Sequence, residues 1–129
     1  MKKILIIFFC IITSVVHAEK QTTFDKNLFE KAQSDGKLVI VSSWKKYCSS
    51  CASQMKILQK AKNDGKLNDI KFDDIEYFSF DVTNKDIANF FNVQYQTTLI
   101  IFKNKEEVYR SLGETTKDLL YEAIKSSIS

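Results

Sequence analysis

Hydrophobic and polar positions alternate along the chain with two different spacings, and the spacing changes from one segment to the next. Apolar residues three or four positions apart predict amphipathic helices, whereas short β-branched runs and two-residue alternation predict strands. By these criteria the helices cover residues 23–35, 52–61, 85–91 and a last segment capped by Thr115 or Thr116, and the strands cover residues 38–41, 75–82, 98–102 and 107–112. Asn63, Asp64 and Gly65 indicate the end of the second helix. The element order is therefore α-β-α-β-α-β-β-α.

This order predicts a single α/β domain with a mixed central sheet. A strand, a helix and a second strand in succession imply a parallel crossover, whereas Asn104 and Lys105 form a hairpin turn between the last two strands. The connecting helices are expected to cover both faces of the sheet. The composition, 44% hydrophobic and 27% charged residues, is typical of a globular domain, and 129 residues suffice for one core.

The first eighteen residues have a different pattern. Lys2 and Lys3 precede an uncharged, largely apolar run over 4–16, and the small residue Ala18 ends the segment. This pattern is typical of a cleaved signal peptide, and the run is shorter than the roughly 20 residues of a membrane-spanning helix, which is the competing interpretation. We therefore predict a periplasmic or secreted protein without a membrane anchor, with a cleaved signal peptide over 1–18, a polar lead-in over 19–23 and a domain over 24–129.

Removal of this leader would leave few residues for catalytic chemistry. Cys10 and His17 would be lost, so the domain would contain no histidine and only Cys48 and Cys51 as cysteines. Nucleophile pairs that require histidine are then excluded, and a structural zinc site, which needs four nitrogen or sulfur ligands, would find two thiolates. The formal net charge would fall from +3 to +1, which gives no electrostatic argument for nucleic-acid binding. No cofactor or metal is expected.

The two remaining cysteines lie where a predicted strand ends and a helix begins. Their spacing is close enough for a disulfide, and a helix start stabilises a thiolate through its unpaired N–H groups and its dipole. We expect Cys48 to be the exposed, attacking sulfur and Cys51 to resolve the mixed disulfide. Two alternatives stay open: a disulfide that only staples the fold, although so short a loop contributes about 2 kcal/mol, and a soft-metal site for Cu(I).

Two segments of the chain carry a resemblance to a known family: residues 41–51 read VSSWKKYCSSC, and residues 97–104 read TTLIIFKN and are followed by Gly113. The first resembles the active-site segment of the thioredoxin superfamily, in which an aromatic residue precedes the first cysteine and a tryptophan lies three residues earlier. The second resembles the C-terminal half of the same fold. The resemblance extends over residues 24–128 and implies a thioredoxin-like three-layer sandwich that performs thiol–disulfide exchange.

The resemblance also implies roles for the residues around the cysteine pair. Cys48 would attack and Cys51 would resolve, next to a shallow apolar surface and a loop that presents backbone groups to a substrate chain. The substrate-binding residues so implied are Trp44, Tyr47, Gln96 and Thr97. Core packing is the competing interpretation for the two aromatic residues, more for Trp44 than for Tyr47. The expected partners are cysteine-containing exported proteins and a redox partner protein, and the domain is expected to be monomeric.

Four residues depart from the family pattern. Thr97 occupies the place of the usual cis-proline, because the chain contains no proline, and we predict a trans Gln96–Thr97 bond. Ser42 matches the place where thioredoxins proper carry a buried acid that assists proton transfer from the resolving cysteine. Ser49 and Ser50 between the cysteines leave the redox direction open. Because of the changes at Ser42 and Thr97, a second hypothesis stays open: a non-catalytic binding module with a static disulfide.

Overall fold

The computed structural model describes residues 22–129, so the predicted signal peptide and most of the predicted lead-in lie outside the described residues. The elements of this part are α1 (Lys26–Ser34), β1 (Leu38–Trp44), α2 (Ser49–Asp64), β2 (Lys66–Leu67), β3 (Ile70–Lys71), β4 (Ile75–Asp81), α3 (Lys85–Phe90), β5 (Thr98–Lys103), β6 (Glu106–Leu112) and α4 (Lys117–Ile128). Every predicted element is present. The added ribbon of β2 and β3 has strands of two residues, which are too short to show a hydrophobic period. None of these helices is long and apolar enough to cross a membrane.

The central sheet has the strand order β4-β1-β5-β6 and is mixed, as predicted. β1 pairs in parallel with β4, where Val41 lies opposite Phe78, and pairs antiparallel with β5 on its other side. β5 and β6 form an antiparallel hairpin. Its turn residues, Asn104 and Lys105, have φ angles of 53° and 67°, as a type I′ turn requires. β1 is therefore a central strand, and the cysteine motif follows directly from its end.

Two hydrophobic clusters cover the two faces of the sheet, which confirms the three-layer sandwich. α2 and α4 pack on one face, and α1 and α3 pack on the other. The first cluster includes Ile40, Leu58, Leu99, Ile101, Leu120 and Ile124. The second includes Phe29, Val39, Val41, Phe78, Ala88 and Phe91. Full burial of a large apolar side chain contributes about 1.5–3 kcal/mol, so both clusters hold β1 firmly in place.

The first helix begins later than its apolar spacing predicts. It starts one residue after Asp25, whose carboxylate accepts a hydrogen bond from the Leu28 N–H at 2.9 Å and caps the helix. The N–H groups of Thr23 and Phe24 instead donate to the Ser79 carbonyl of β4, at 2.9 and 3.1 Å. β4 is an edge strand, and these bonds attach the segment before α1 to it.

β1 and α2 both extend further toward the cysteine motif than predicted. β1 continues through Ser42 and Ser43, because both residues are buried and paired with β4. α2 starts at Ser49 rather than at residue 52, because the Cys48 side chain caps it. Its end is as predicted: Gly65 has a φ of 75°, the left-handed cap that glycine adopts without strain. The link between strand and helix is therefore only four residues long.

Candidate active site

The two cysteines lie at the N-terminus of α2 and form a disulfide, with their Cα atoms 5.3 Å apart. Cys48 is the N-cap, and its Sγ accepts a hydrogen bond from the Cys51 N–H at 3.2 Å. Cys48 is half-buried, whereas Cys51 has no exposed surface. A charged Cys48 sulfur would be stabilised there by the N–H group and by the positive end of the helix dipole. A large substrate can reach Cys48 but not Cys51.

Thr97, in the loop before β5, contacts the sulfurs of both cysteines. Its Oγ1 lies 3.2 Å from Cys51 Sγ, 3.6 Å from Cys48 Sγ and 3.1 Å from Ser50 Oγ. Ser50 Oγ in turn lies 3.3 Å from Cys48 Sγ. Thr97 itself is 5% exposed. The threonine at the family's proline position is thus the residue that bridges the cysteine pair and the loop before β5.

The Gln96–Thr97 bond is trans, as predicted, since residues 22–129 contain no cis peptide bond. Thr97 adopts a φ of 63°, which is a rare conformation for a β-branched residue and costs about 1–3 kcal/mol. Two backbone bonds hold it there. The Thr97 N–H donates to the Ser43 carbonyl at 2.9 Å, and the Gly113 N–H donates to the Thr97 carbonyl at 3.1 Å.

The other predicted substrate-binding residues have different environments. Tyr47 is 91% exposed, and Lys46 Nζ lies 5.1 Å from the centre of its ring. Trp44 is half-buried, and its Nε1 is buried without a hydrogen-bond partner among the described residues. Gln96 is exposed. Of the four, only Thr97 is shown in contact with the sulfurs, and the substrate-binding role of all four stays a prediction.

A groove of about 540 Å³ lies beside the Thr97 loop, and sequence reasoning missed it. Its lining includes Val93, Tyr95, Thr98, Ser111 and Leu112. Tyr95 and Leu112 are 62% and 61% exposed, so the groove presents apolar surface at the start of β5. The only sequence signal was their position, because Tyr95 lies directly before Gln96 and Thr97, and Leu112 lies directly before Gly113.

Ser42, at the place of the family's buried acid, has a hydroxyl partner in the core. Its Oγ lies 2.6 Å from the Tyr77 hydroxyl oxygen, and neither residue is more than 1% exposed. Burial raises the pKa of Tyr77 well above its ordinary value, and the hydrogen bond from Ser42 opposes that rise only in part. Tyr77 therefore stays neutral, and the pair places an uncharged hydrogen bond at the position of the acid.

The family model described as Thioredoxin matches residues 15–126. The chain belongs to the thioredoxin family. "Thioredoxin Y, chloroplastic" from Oryza sativa subsp. japonica is 32% identical over 117 residues, which are 88% of this chain and 63% of that protein. "Thioredoxin H-type" from Fagopyrum esculentum is 27% identical over 94 residues, 72% of this chain and 75% of that one. This chain therefore spans less than two thirds of the rice protein.

Solved structures agree on the fold. The crystal structure of Trxlp from Edwardsiella tarda EIB202 superposes with a TM-score of 0.66 at 28% identity, covering 77% of this chain and 92% of that one. The thioredoxin-like fold predicted from the sequence is thus confirmed. The family match and the Cys48–Cys51 disulfide also confirm the predicted thioredoxin-like domain with a CxxC motif.

The predicted periplasmic or secreted location is wrong. The curated relatives are a thioredoxin named as chloroplastic and an H-type thioredoxin, and neither name denotes an exported protein. The prediction rested on the charge and hydropathy of residues 1–18 alone, and such a pattern describes a segment rather than the destination of a protein.

Proposed function

We propose that this chain exchanges disulfides with cysteine-containing proteins, with Cys48 as the attacking residue and Cys51 as the resolving residue. The observation that carries the proposal is the asymmetry of the pair. Cys48 is half-buried at the start of α2, and Cys51, one helical turn further, has no exposed surface and is within bonding distance of Cys48. In this arrangement Cys48 reacts with the substrate and Cys51 releases the product.

In the reducing direction the exchange has two steps. The Cys48 thiolate attacks one sulfur of a substrate disulfide, so a Cys48–substrate bond forms and the other substrate sulfur leaves as a thiolate. Cys51 then loses its proton and attacks Cys48 Sγ, which forms the Cys48–Cys51 disulfide and releases the second substrate sulfur. The substrate gains two electrons and the enzyme loses two. The reverse sequence oxidises a dithiol, and a redox partner protein would restore the starting state in either case.

The surface around Cys48 supports a protein substrate. Tyr47 is exposed directly before the reactive residue, and Tyr95 and Thr98, which flank Gln96 and Thr97 in the chain, line the groove together with Leu112. Exposed aromatic and aliphatic side chains next to a polar rim are typical of surfaces that bind protein chains. We propose that a substrate segment lies along this surface, with Gln96 at its edge.

The test is a matched pair of cysteine variants. Cys51→Ser keeps the attacking sulfur and removes the resolving one. The reduced variant should therefore accumulate mixed disulfides with a disulfide-containing protein substrate such as insulin. Cys48→Ser is the control and should accumulate none. Non-reducing electrophoresis and mass spectrometry of the adducts measure both outcomes.

Failure of Cys51→Ser to form adducts, or turnover retained by Cys48→Ser, would contradict the proposal. A redox titration distinguishes the proposed exchange protein from the competing hypothesis, a binding module with a static disulfide. Exchange proteins have reduction potentials of about −270 to −120 mV, whereas structural disulfides have potentials below about −300 mV. No cluster of three or more His, Cys, Asp or Glu side chains that could hold a metal ion occurs within residues 22–129.

A further inference from the structure

Two hydroxyl groups connect the buried sulfur of the redox pair to the half-buried one. Thr97 Oγ1 lies 3.2 Å from Cys51 Sγ and 3.1 Å from Ser50 Oγ, and Ser50 Oγ lies 3.3 Å from Cys48 Sγ. Each of these distances is within the range for a hydrogen bond to oxygen or sulfur. Ser50 is only half-buried, so the row of hydroxyls runs from a sulfur without solvent contact to the protein surface.

The proposed exchange requires such a connection. Cys51 must lose its proton before it can attack, and a buried thiol ionises with difficulty because its low-dielectric surroundings disfavour charge. Ser42, where the family resemblance places an acid, bears no carboxylate, and its hydroxyl lies 2.6 Å from that of Tyr77. The groups found at the Cys51 sulfur are instead the Thr97 hydroxyl and, beyond it, the Ser50 hydroxyl.

We propose that Thr97 and Ser50 form the proton path of the resolving step, with the Thr97 hydroxyl stabilising the Cys51 thiolate. The inference rests on the proposed function and assigns the proton transfer in its second step. As the Cys51 S–H bond breaks, Thr97 Oγ1 takes that proton and passes its own to Ser50 Oγ. Ser50 passes its proton to the departing substrate sulfur at Cys48 or to water. The Cys51 electron pair forms the new S–S bond, and both hydroxyls are unchanged at the end.

The backbone holds the Thr97 hydroxyl in position for this role. Its N–H and carbonyl groups are both bonded, to the Ser43 carbonyl and to the Gly113 N–H. A β-branched side chain has few χ1 rotamers, so a fixed backbone restricts the direction of the hydroxyl. A proline at this position could not supply such a group, because it has no side-chain hydroxyl.

The test uses the small disulfide 5,5′-dithiobis(2-nitrobenzoic acid), which releases one coloured thiolate when Cys48 attacks and a second when Cys51 resolves. Stopped-flow absorbance of the reduced protein separates the two releases across a pH series. Thr97→Val keeps the shape and β-branching but removes the hydroxyl. It should slow the second release by about tenfold to a hundredfold, the worth of a hydrogen bond to a charged group. Its pH profile should move to higher pH, and the second release should slow more than the first.

Two further variants complete the design. Thr97→Ser restores a hydroxyl and should recover most of the second rate and the original pH profile, which a purely structural role of the threonine methyl would not allow. Ser50→Ala, on the half-buried first turn of α2, should slow the second release, and it tests the path even if Thr97→Val does not fold. Circular dichroism and thermal unfolding of each variant verify the fold.

The outcomes separate the two proposals. If the second release of folded Thr97→Val has the wild-type rate and pH profile, or if Ser50→Ala alone is tested and matches wild type, the proton path is refuted while the exchange function stands. If wild-type protein shows no first release that depends on Cys48, the proposed function fails, and the path fails with it.

Discussion

The buried hydrogen bond between Ser42 and Tyr77 is open to a quantitative test by a double-mutant cycle. The perturbations are Ser42→Ala, Tyr77→Phe and the two together. Each single change removes one hydroxyl and leaves the other in the core without its partner. Because neither residue is more than 1% exposed, water does not replace the lost bond in the folded state.

The size of the effect follows from that burial. A buried hydroxyl left unpaired costs about 1–3 kcal/mol, whereas removal of both partners leaves no unpaired group and costs less than the two single changes together. We therefore expect each single variant to lower the free energy of unfolding by about 1–3 kcal/mol, and the double variant to lower it by less than the sum, with a coupling of about 1–2 kcal/mol. The 2.6 Å separation of the two oxygens places this bond among the short O–H···O bonds.

The assay is urea unfolding of the oxidised protein, followed by the fluorescence of Trp44, the only tryptophan in the chain. Tyr109→Phe combined with Ser42→Ala is the matched control. The Tyr109 hydroxyl donates to Glu114 Oε1 and is not bonded to Ser42, so the effects of this pair should add. If Ser42→Ala and Tyr77→Phe also add to within about 0.5 kcal/mol, the two hydroxyls do not act as a pair and the reasoning is refuted.

Two further predictions concern stability. Burial raises the pKa of Tyr77 in the folded state, so unfolding above the ordinary tyrosine pKa of about 10 releases its proton. The contribution of Tyr77 to the free energy of unfolding is therefore fully present below that pH and falls as the pH rises. Tyr77→Phe should make this alkaline loss of stability smaller in a series of urea unfolding curves at increasing pH. Gly65→Ala should lower stability by about 1 kcal/mol, because Gly65 has a φ of 75°. Nothing lies within 4 Å of the added Cβ, so the cost is expected to come from the backbone conformation. Asparagine adopts a positive φ more readily than alanine, so Gly65→Asn should lose less stability than Gly65→Ala. Equal losses of stability in the two variants would point to a steric cause.

The fold could be predicted because its main signals are local. The buried run 38–41, the Asn104–Lys105 turn and the glycine at 65 each act over a few residues, and the structure places a strand, a type I′ turn and a helix end there. The predicted boundaries were wrong where distant residues decide them. Thr23 and Phe24 have helical spacing with the residues that follow, but their N–H groups bond to β4, more than fifty positions away in sequence.

The site was predictable to the same extent. The cysteine pair is a local motif, since four consecutive residues bring both sulfurs to one helix start. Thr97 was identified only through the resemblance to a family, because its contact with Cys51 spans 46 residues and no periodicity reports it. Ser50 and the Tyr95 groove were missed, because a serine in the motif and a tyrosine in a loop have ordinary exposed positions until packing places them.

Both halves of the site are held by the same end of the central strand. The Ser43 carbonyl accepts the Thr97 N–H at 2.9 Å, and Ser43 Oγ donates to the Tyr95 carbonyl at 2.8 Å and accepts the Thr98 N–H at 3.0 Å. Cys48 lies five residues after Ser43, in the short link between β1 and α2. The distance between the Thr97 hydroxyl and the sulfurs is therefore set by β1, which is packed on both faces, rather than by flexible loops. This anchoring explains how a β-branched residue keeps a left-handed backbone that costs about 1–3 kcal/mol: the bonds to Ser43 would be lost if Thr97 relaxed.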